Sequence, residues 1–147
     1  MRVTETTIIG WRERVDLPGL GISAITAKID TGARTSALHA THLRLFEKDG
    51  AEWVGFRVPH AGLKRAIACE APLVDNRLIK NTSGVPESRF VIFTRLAIPG
   101  RHWDIEISLA DRAAMATPLI LGRTAIKRRR LLVDAGQSFL LSARVKP

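Results

Sequence analysis

Apolar and polar positions alternate with a period of two along most of this chain, in short runs separated by turn residues. In SAITAKI, Ile25, Ala27 and Ile29 fall on one face, and HWDIEISLA alternates through Trp103, Ile105, Ile107 and Leu109. Successive side chains of a strand point to opposite faces, so each run predicts a half-buried strand. TTIIGWRERV predicts another strand, leading into DLPGLGI, a turn rich in Pro and Gly. HLRLFEKDGAEWVGFRV predicts a hairpin that bends at Lys48-Asp49-Gly50, because Asp-Gly is a strong turn signal. AIACEAPLV and RLIKNTSGVPESRFVIFTRLAI predict strands around a turn at Ser83-Gly84-Val85-Pro86. LILG is a short, fully apolar run, RTAIKRRR predicts a helix of about two turns, and LLVDAGQSFLLS predicts a closing hairpin with Asp134-Ala135-Gly136 at its turn. The pattern as a whole predicts an all-β barrel or folded sheet with one short helix near the end.

Composition narrows the class. A length of 147 residues suits a single domain, 1–147, and a hydrophobic content of 46% is enough for a core. No apolar run approaches the roughly 18–20 residues needed to cross a bilayer, so no membrane association is expected. The first fifteen residues, MRVTETTIIGWRERV, contain an acid and no long apolar stretch, so no signal peptide is expected. Cys69 is the lone cysteine, which excludes an intrachain disulfide and a CxxC metal site. Together these readings predict a cytoplasmic protein. The net charge of +9 is uneven: residues 1–75 hold ten Lys/Arg against nine Asp/Glu, and residues 76–147 hold thirteen against five. Such asymmetry points to an anionic partner, either nucleic acid or an acidic peptide.

Two stretches carry candidate chemistry. In AKIDTGARTSALHA an apolar strand ends at Asp30, where the sheet fixes the position of a carboxylate. Gly32 lets the backbone approach that carboxylate and present an N–H to it. Thr31 supplies a hydroxyl for a neighbouring strand or subunit, and Ala33 is small enough to leave room for a substrate. On these residues alone, an ordinary Asp-x-Gly turn explains the stretch better than a catalytic loop does. In PLILGRTAI an apolar strand ends in Gly122 and Arg123 before a helix whose candidate cap is Thr124.

The pair IDTGA (29–33) and LILGRTAI (119–126), about ninety residues apart, resembles the single-lobe aspartic proteases, the retropepsins. With IIGWRERVDLPGLGI, the Arg77 to Arg89 segment containing SGVPESRFVI, DRAAM (111–115) and PLILGR, the chain is similar to the bacterial retropepsin-like family often labelled an ATP-dependent zinc protease. The likeness runs from about residue 8 to residue 142. It implies a retropepsin-like acid-protease barrel in which the apolar–Gly strand crosses beside the Asp loop. The label's other words find no support in the residues. There is no phosphate loop for ATP. His39, His42, His60, His102 and Cys69 lack the spacing of a zinc site. No cofactor or metal is expected.

Aspartic proteolysis needs two carboxylates sharing one proton, because two like charges a few ångströms apart cannot both ionise easily. The chain has one Asp-Thr-Gly, and too few residues follow Asp134-Ala135-Gly136 to build a second lobe. The resemblance therefore implies a homodimer in which Asp30 of each subunit meets at a two-fold axis, with Thr31 linking the loops. RLIKNTSGVPESRFVI (77–92) is the candidate flap. Many retropepsins place an acid after Asp-Thr-Gly-Ala, and here that residue is Arg34, so the acid–Arg pair of viral members cannot form with Arg123. With Arg77, Arg89, Arg112 and Arg123, the site is expected to favour an acidic, Glu-rich or glutamylated chain, since Arg pairs well with carboxylates. Members of the resembled family often occur beside ATP-grasp glutamate ligases, which makes such a ligase a candidate partner.

Two rival readings stand beside this one. A nucleic-acid or ribosome-binding barrel would use Lys127 to Arg130 and Arg123 as a phosphate stripe. With no Tyr, three Trp and five Phe, stacking aromatics are scarce, so nucleic acid is not the expected partner. A non-catalytic regulator on a retropepsin fold is the other.

Overall fold

A computed structural model describes residues 5–59, 66–80, 83–112 and 115–142. Among the described residues, ten strands form one continuous sheet: β1 (Thr7–Leu17), β2 (Ile22–Asp30), β3 (Ser36–His39), β4 (Thr41–Lys48), β5 (Ala51–Val58), β6 (Ile67–Lys80), β7 (Pro86–Ile98), β8 (Arg101–Ala110), β9 (Leu119–Gly122) and β10 (Leu131–Ser138). Their order is β10-β1-β2-β9-β3-β8-β7-β6-β5-β4. An additional pairing of Asp16 with Ala97 joins β1 to β7 and closes β1-β2-β9-β3-β8-β7 into a six-strand barrel. The described residues are thus almost all β, with one short helix, α1 (Arg123–Ile126), as the sequence patterning predicts.

The alternation places the core. Ile25 and Ala27 are fully buried and Ile29 nearly so, while Lys28 between them is exposed. Trp103, Ile105, Ile107 and Leu109 are buried from β8, with Asp104 and Glu106 facing solvent. Leu17, Leu38, Ile92, Leu96, Leu119 and Leu121 complete the barrel interior. Each fully buried aliphatic side chain contributes about 1.5–3 kcal/mol relative to exposure. The β4–β5 hairpin bends at Asp49-Gly50 with φ of 52° and 79°, the double positive φ that a two-residue turn between right-twisted strands demands. DLPGLGI turns through a short 3₁₀ segment at Pro18–Leu20, closed by Gly21 in the left-handed region.

Three local expectations are corrected. AIACEAPLV and RLIK are one strand: β6 pairs β5 through Pro72 and β7 from Leu73 onward, with an irregularity between Leu73 and Asp75. The helix is half its expected length. It stops at Ile126, Lys127 is extended, and Arg128 and Arg130 adopt positive φ. The Arg130 carbonyl then accepts the Thr7 N–H at 2.9 Å, which draws the chain out of the helix and alongside β1. The closing hairpin is absent: β10 is one strand, parallel to β1. Gly10 pairs with Asp134 and Arg12 with Ser138, so Asp134-Ala135-Gly136 widens the strand instead of reversing it.

A buried carboxylate fastens β1 to the residues beyond β10. Glu13 accepts hydrogen bonds from Gly10 N (2.6 Å), Leu141 N (3.1 Å), Ser142 N (2.9 Å) and Ser142 Oγ (2.7 Å). Burial alone would raise its pKa, but the four donors outweigh burial and hold it below the ordinary carboxylate value.

Candidate active site

β2 carries the chain through the core and ends at Asp30, which lies in parallel register with Gly122, the last residue of β9. Beyond it the chain turns tightly. The Ala33 N–H donates to the Asp30 carbonyl and the Gly32 N–H to Asp30 Oδ1, both at 3.1 Å. The carboxylate is thus oriented by its own turn, through a hydrogen bond strengthened by charge. Asp30 is half-buried, whereas Thr31, Gly32 and Arg34 are exposed and Ala33 is partly covered.

A second segment locks this turn from beneath. Gly122 N donates to Ser36 Oγ at 3.0 Å, and Ser108 Oγ donates to the Ser36 carbonyl at 2.8 Å. Arg123 N donates to the Ala33 carbonyl at 2.8 Å. The Arg34 carbonyl accepts both Thr124 N at 3.3 Å and Thr124 Oγ1 at 2.7 Å. Thr124 therefore fastens the loop and does not cap the helix; Gly122 occupies the cap position without a side-chain bond. A Cβ on Gly122 would sit 2.6 Å from the Thr35 carbonyl oxygen, so only glycine lets the two segments cross this closely. The apolar–Gly strand thus crosses beside the Asp loop, as expected. Ser36 and Ser108 are supports that no local motif reveals.

The arginines separate into different environments. Arg123 Nη1 donates to the Gly32 carbonyl at 3.2 Å, so it braces the Asp loop in place of the acid–Arg pair that Arg34 precludes. Arg34 is exposed and makes no side-chain hydrogen bond or ion pair among the described residues. Arg77 bridges Asp75 at 2.9 Å and Glu106 at 3.1 Å. Arg89, directly across the β6–β7 pair from Arg77, is 7% exposed and bound to Glu87 at 2.7 Å. Arg77 and Ile79 share a small cavity with Thr35, Thr124 and Glu106, which sets the outer half of the β6–β7 hairpin beside the Asp loop. That hairpin is the candidate flap. Residues 81 and 82 near its tip lie outside the described residues, and Leu78 and Val85 expose apolar surface on either side of them.

The candidate metal ligands do not converge. His39 Nδ1 accepts the Arg112 N–H at 3.0 Å, His42 Nδ1 lies 3.0 Å from Thr41 Oγ1, and Cys69 is buried against the Leu20 carbonyl. Burial pushes the Cys69 thiol up to about 11. His60 lies outside the described residues. Among the described residues, no group of three His, Cys, Asp or Glu could hold a metal ion. No helix among the described residues is long and apolar enough to cross a membrane.

A closed barrel, an Asp-Thr-Gly turn at a strand end and a Gly-Arg strand locking that turn define a retropepsin-like fold of the single-lobe kind. The chain belongs to the RimB-like family of retropepsin-like aspartic endopeptidases, whose model matches residues 8–144. Its relatives include a protein of Desulfotalea psychrophila named "Probable alpha-L-glutamate ligase", 45% identical over 129 residues that cover 86% of this chain and 28% of that protein. A Shewanella pealeana protein of the same name is 40% identical over 136 residues, 91% of this chain and 30% of that protein. The chain thus spans less than a third of the length of these relatives. A solved Legionella pneumophila protein of unknown function (DUF785) superposes with a TM-score of 0.79 at 28% identity, covering 93% of this chain and 99% of that one.

Proposed function

We propose that this protein is an aspartic endopeptidase that works as a homodimer, each subunit contributing one Asp30. The observation that carries this reading is Asp30 itself: a half-buried carboxylate at a strand end, oriented by the Gly32 N–H and braced through Gly122, Arg123 and Thr124. Two such carboxylates across a two-fold axis would share a proton. The ionised member draws a proton from water as it attacks the peptide carbonyl, and the protonated member donates to the carbonyl oxygen. The proton belongs to the pair, so neither carboxylate is assigned the acid in advance. Thr31, exposed and without a hydrogen bond among the described residues, is available to link the two loops.

The substrate on this reading is an acidic, Glu-rich or glutamylated chain. Support comes from Arg34 next to Asp30 and from relatives named for glutamate ligation in which a segment like this one is joined to a much longer chain. A glutamate ligase is the corresponding partner. Arg77 and Arg89 already hold carboxylates of this chain, so Arg34 has the stronger claim to contact substrate. The test is cleavage of Glu-rich peptides by wild type and Asp30→Asn, with light scattering on both. Asn keeps the oxygen that accepts the Gly32 N–H, so folding and dimerisation are expected to persist while cleavage disappears. A strict monomer, or cleavage that survives the substitution, overturns the reading.

A further inference from the structure

Two groups of basic residues differ in their partners. On the β4 to β8 side, Lys48, Arg77, Arg89 and Arg95 each hold a carboxylate of the chain. A second population runs from the Asp loop to the far end of the barrel, and none of its members forms an ion pair with a described residue. It begins at Arg34 and Arg123, continues through Lys127 to Arg130, all exposed, and ends at Arg101. Hydrogen bonds make it continuous: Arg123 reaches the Gly32 carbonyl, Lys127 N bonds the Arg123 carbonyl at 2.9 Å, and Arg101 Nη1 bonds the Arg129 carbonyl at 2.9 Å. Arg101 and Arg129 both lie over the Trp103 ring, at 5.4 and 5.1 Å, and Trp103 Nε1 donates to the Ala125 carbonyl of α1.

The far end of this ridge has the character of an anion site. Arg101 Nη2 is buried and meets no hydrogen-bond acceptor, and buried polar groups in folded proteins almost always have one. Burial and the neighbouring Arg129 charge both disfavour the Arg101 cation, whose pKa is lowered accordingly. A carboxylate bound between the two guanidiniums would relieve both costs. The exposed acids nearest along β8, Asp104 and Glu106, are already taken by Arg95 and Arg77.

We propose that the ridge from Arg123 through Lys127–Arg130 to Arg101 is an exosite that holds an acidic polypeptide beyond the residues seated at Asp30. The inference rests on the peptidase reading for its direction along the chain, not for the existence of the site. Ser36, which carries the Asp loop onto β9, pairs with Ile107, and Arg101 lies six residues before Ile107 on β8. At about 3.3 Å per residue the ridge reaches roughly 20 Å from the Asp loop, the span of about six extended residues. Nucleic acid would satisfy the same charge. However, the one aromatic ring on the ridge, Trp103, is 8% exposed and covered by arginines, so it offers no stacking platform.

The test measures binding to the Asp30→Asn protein, which holds acidic peptides without cutting them. Fluorescence anisotropy compares capped glutamate peptides of about four and about twelve residues, the shorter too short to span the ridge. The longer peptide is expected to bind about tenfold tighter, with a steep loss in salt. Lys127→Gln/Arg128→Gln/Arg130→Gln should remove that advantage and leave the short peptide unchanged. The charge-preserving Lys127→Arg/Arg128→Lys/Arg130→Lys should retain it, which separates charge from folding. Equal affinity for both peptides, a length advantage that survives the neutral variant, or a single-stranded RNA that displaces the long peptide at lower concentration would each overturn the proposal. If wild type cuts neither peptide yet the length advantage and its loss are seen, the exosite stands and the peptidase reading fails. Cleavage with no length advantage would uphold the peptidase and exclude the exosite.

Discussion

The α-carbon of Gly122 lies so close to the Thr35 peptide that a Cβ there would be 2.6 Å from the Thr35 oxygen and 2.7 Å from its carbonyl carbon. This crossing sets the position of Asp30, because Arg123 and Thr124, directly after Gly122, donate backbone bonds to the Ala33 and Arg34 carbonyls of the Asp loop. Gly122→Ala is therefore expected to push the two segments apart, at a cost of about 1–3 kcal/mol for overpacking against backbone that cannot rotate away. Urea unfolding measures the loss. Wild-type stability in the variant would mean that the crossing is looser than its geometry indicates.

Glu13 gives a pH dependence with a definite sign. Its folded pKa is held below the ordinary 4.5, so its contribution is fully present above the unfolded value and is lost as pH falls through the folded one. Glu13→Gln leaves buried N–H donors facing an amide and should cost about 3 kcal/mol at neutral pH. The gap in melting temperature between the variant and wild type should narrow as pH drops below 4.5. A gap that is constant from pH 7 to pH 3 would show that the charge on Glu13 does not hold β1 in place.

Cys69 is expected to be inert in the native state. Its thiol is buried, donates to the Leu20 carbonyl and is pushed up to about 11, so almost no thiolate exists at neutral pH. Mass spectrometry after iodoacetamide treatment should find it unmodified in native protein and modified in urea. Rapid native labelling would show that the β5–β6 region opens locally.

Sequence patterning reveals those parts of this fold whose causes are local. The alternation of Ile25, Ala27 and Ile29 and of Trp103 to Leu109 reports directly which side of each strand meets the core. Asp49-Gly50 states its own turn type. Asp134-Ala135-Gly136 uses similar turn chemistry and does not turn, because a parallel partner more than a hundred residues earlier holds it in line. The helix is shortened for a related reason: Arg130 is bonded to Thr7, a residue that no window around RTAIKRRR contains. At the site, Asp30, Gly32 and Gly122 are legible as a motif pair. Ser36, Ser108 and Glu13 are not, since each takes its role from groups dozens of residues away.

The parallel seating of β10 on β1 also bears on how the molecule is made. β1 leaves the ribosome well before residues 131–138, yet the Thr7–Gly10 stretch of its edge has no partner until they emerge. Loop closure over such a separation is slow, and an uncovered strand edge is a template for wrong pairing. A nascent chain that already holds the Asp loop and most of the barrel would thus still carry an uncovered strand edge at the start of β1. Of the ten described strands, the one synthesised last is the one that covers it.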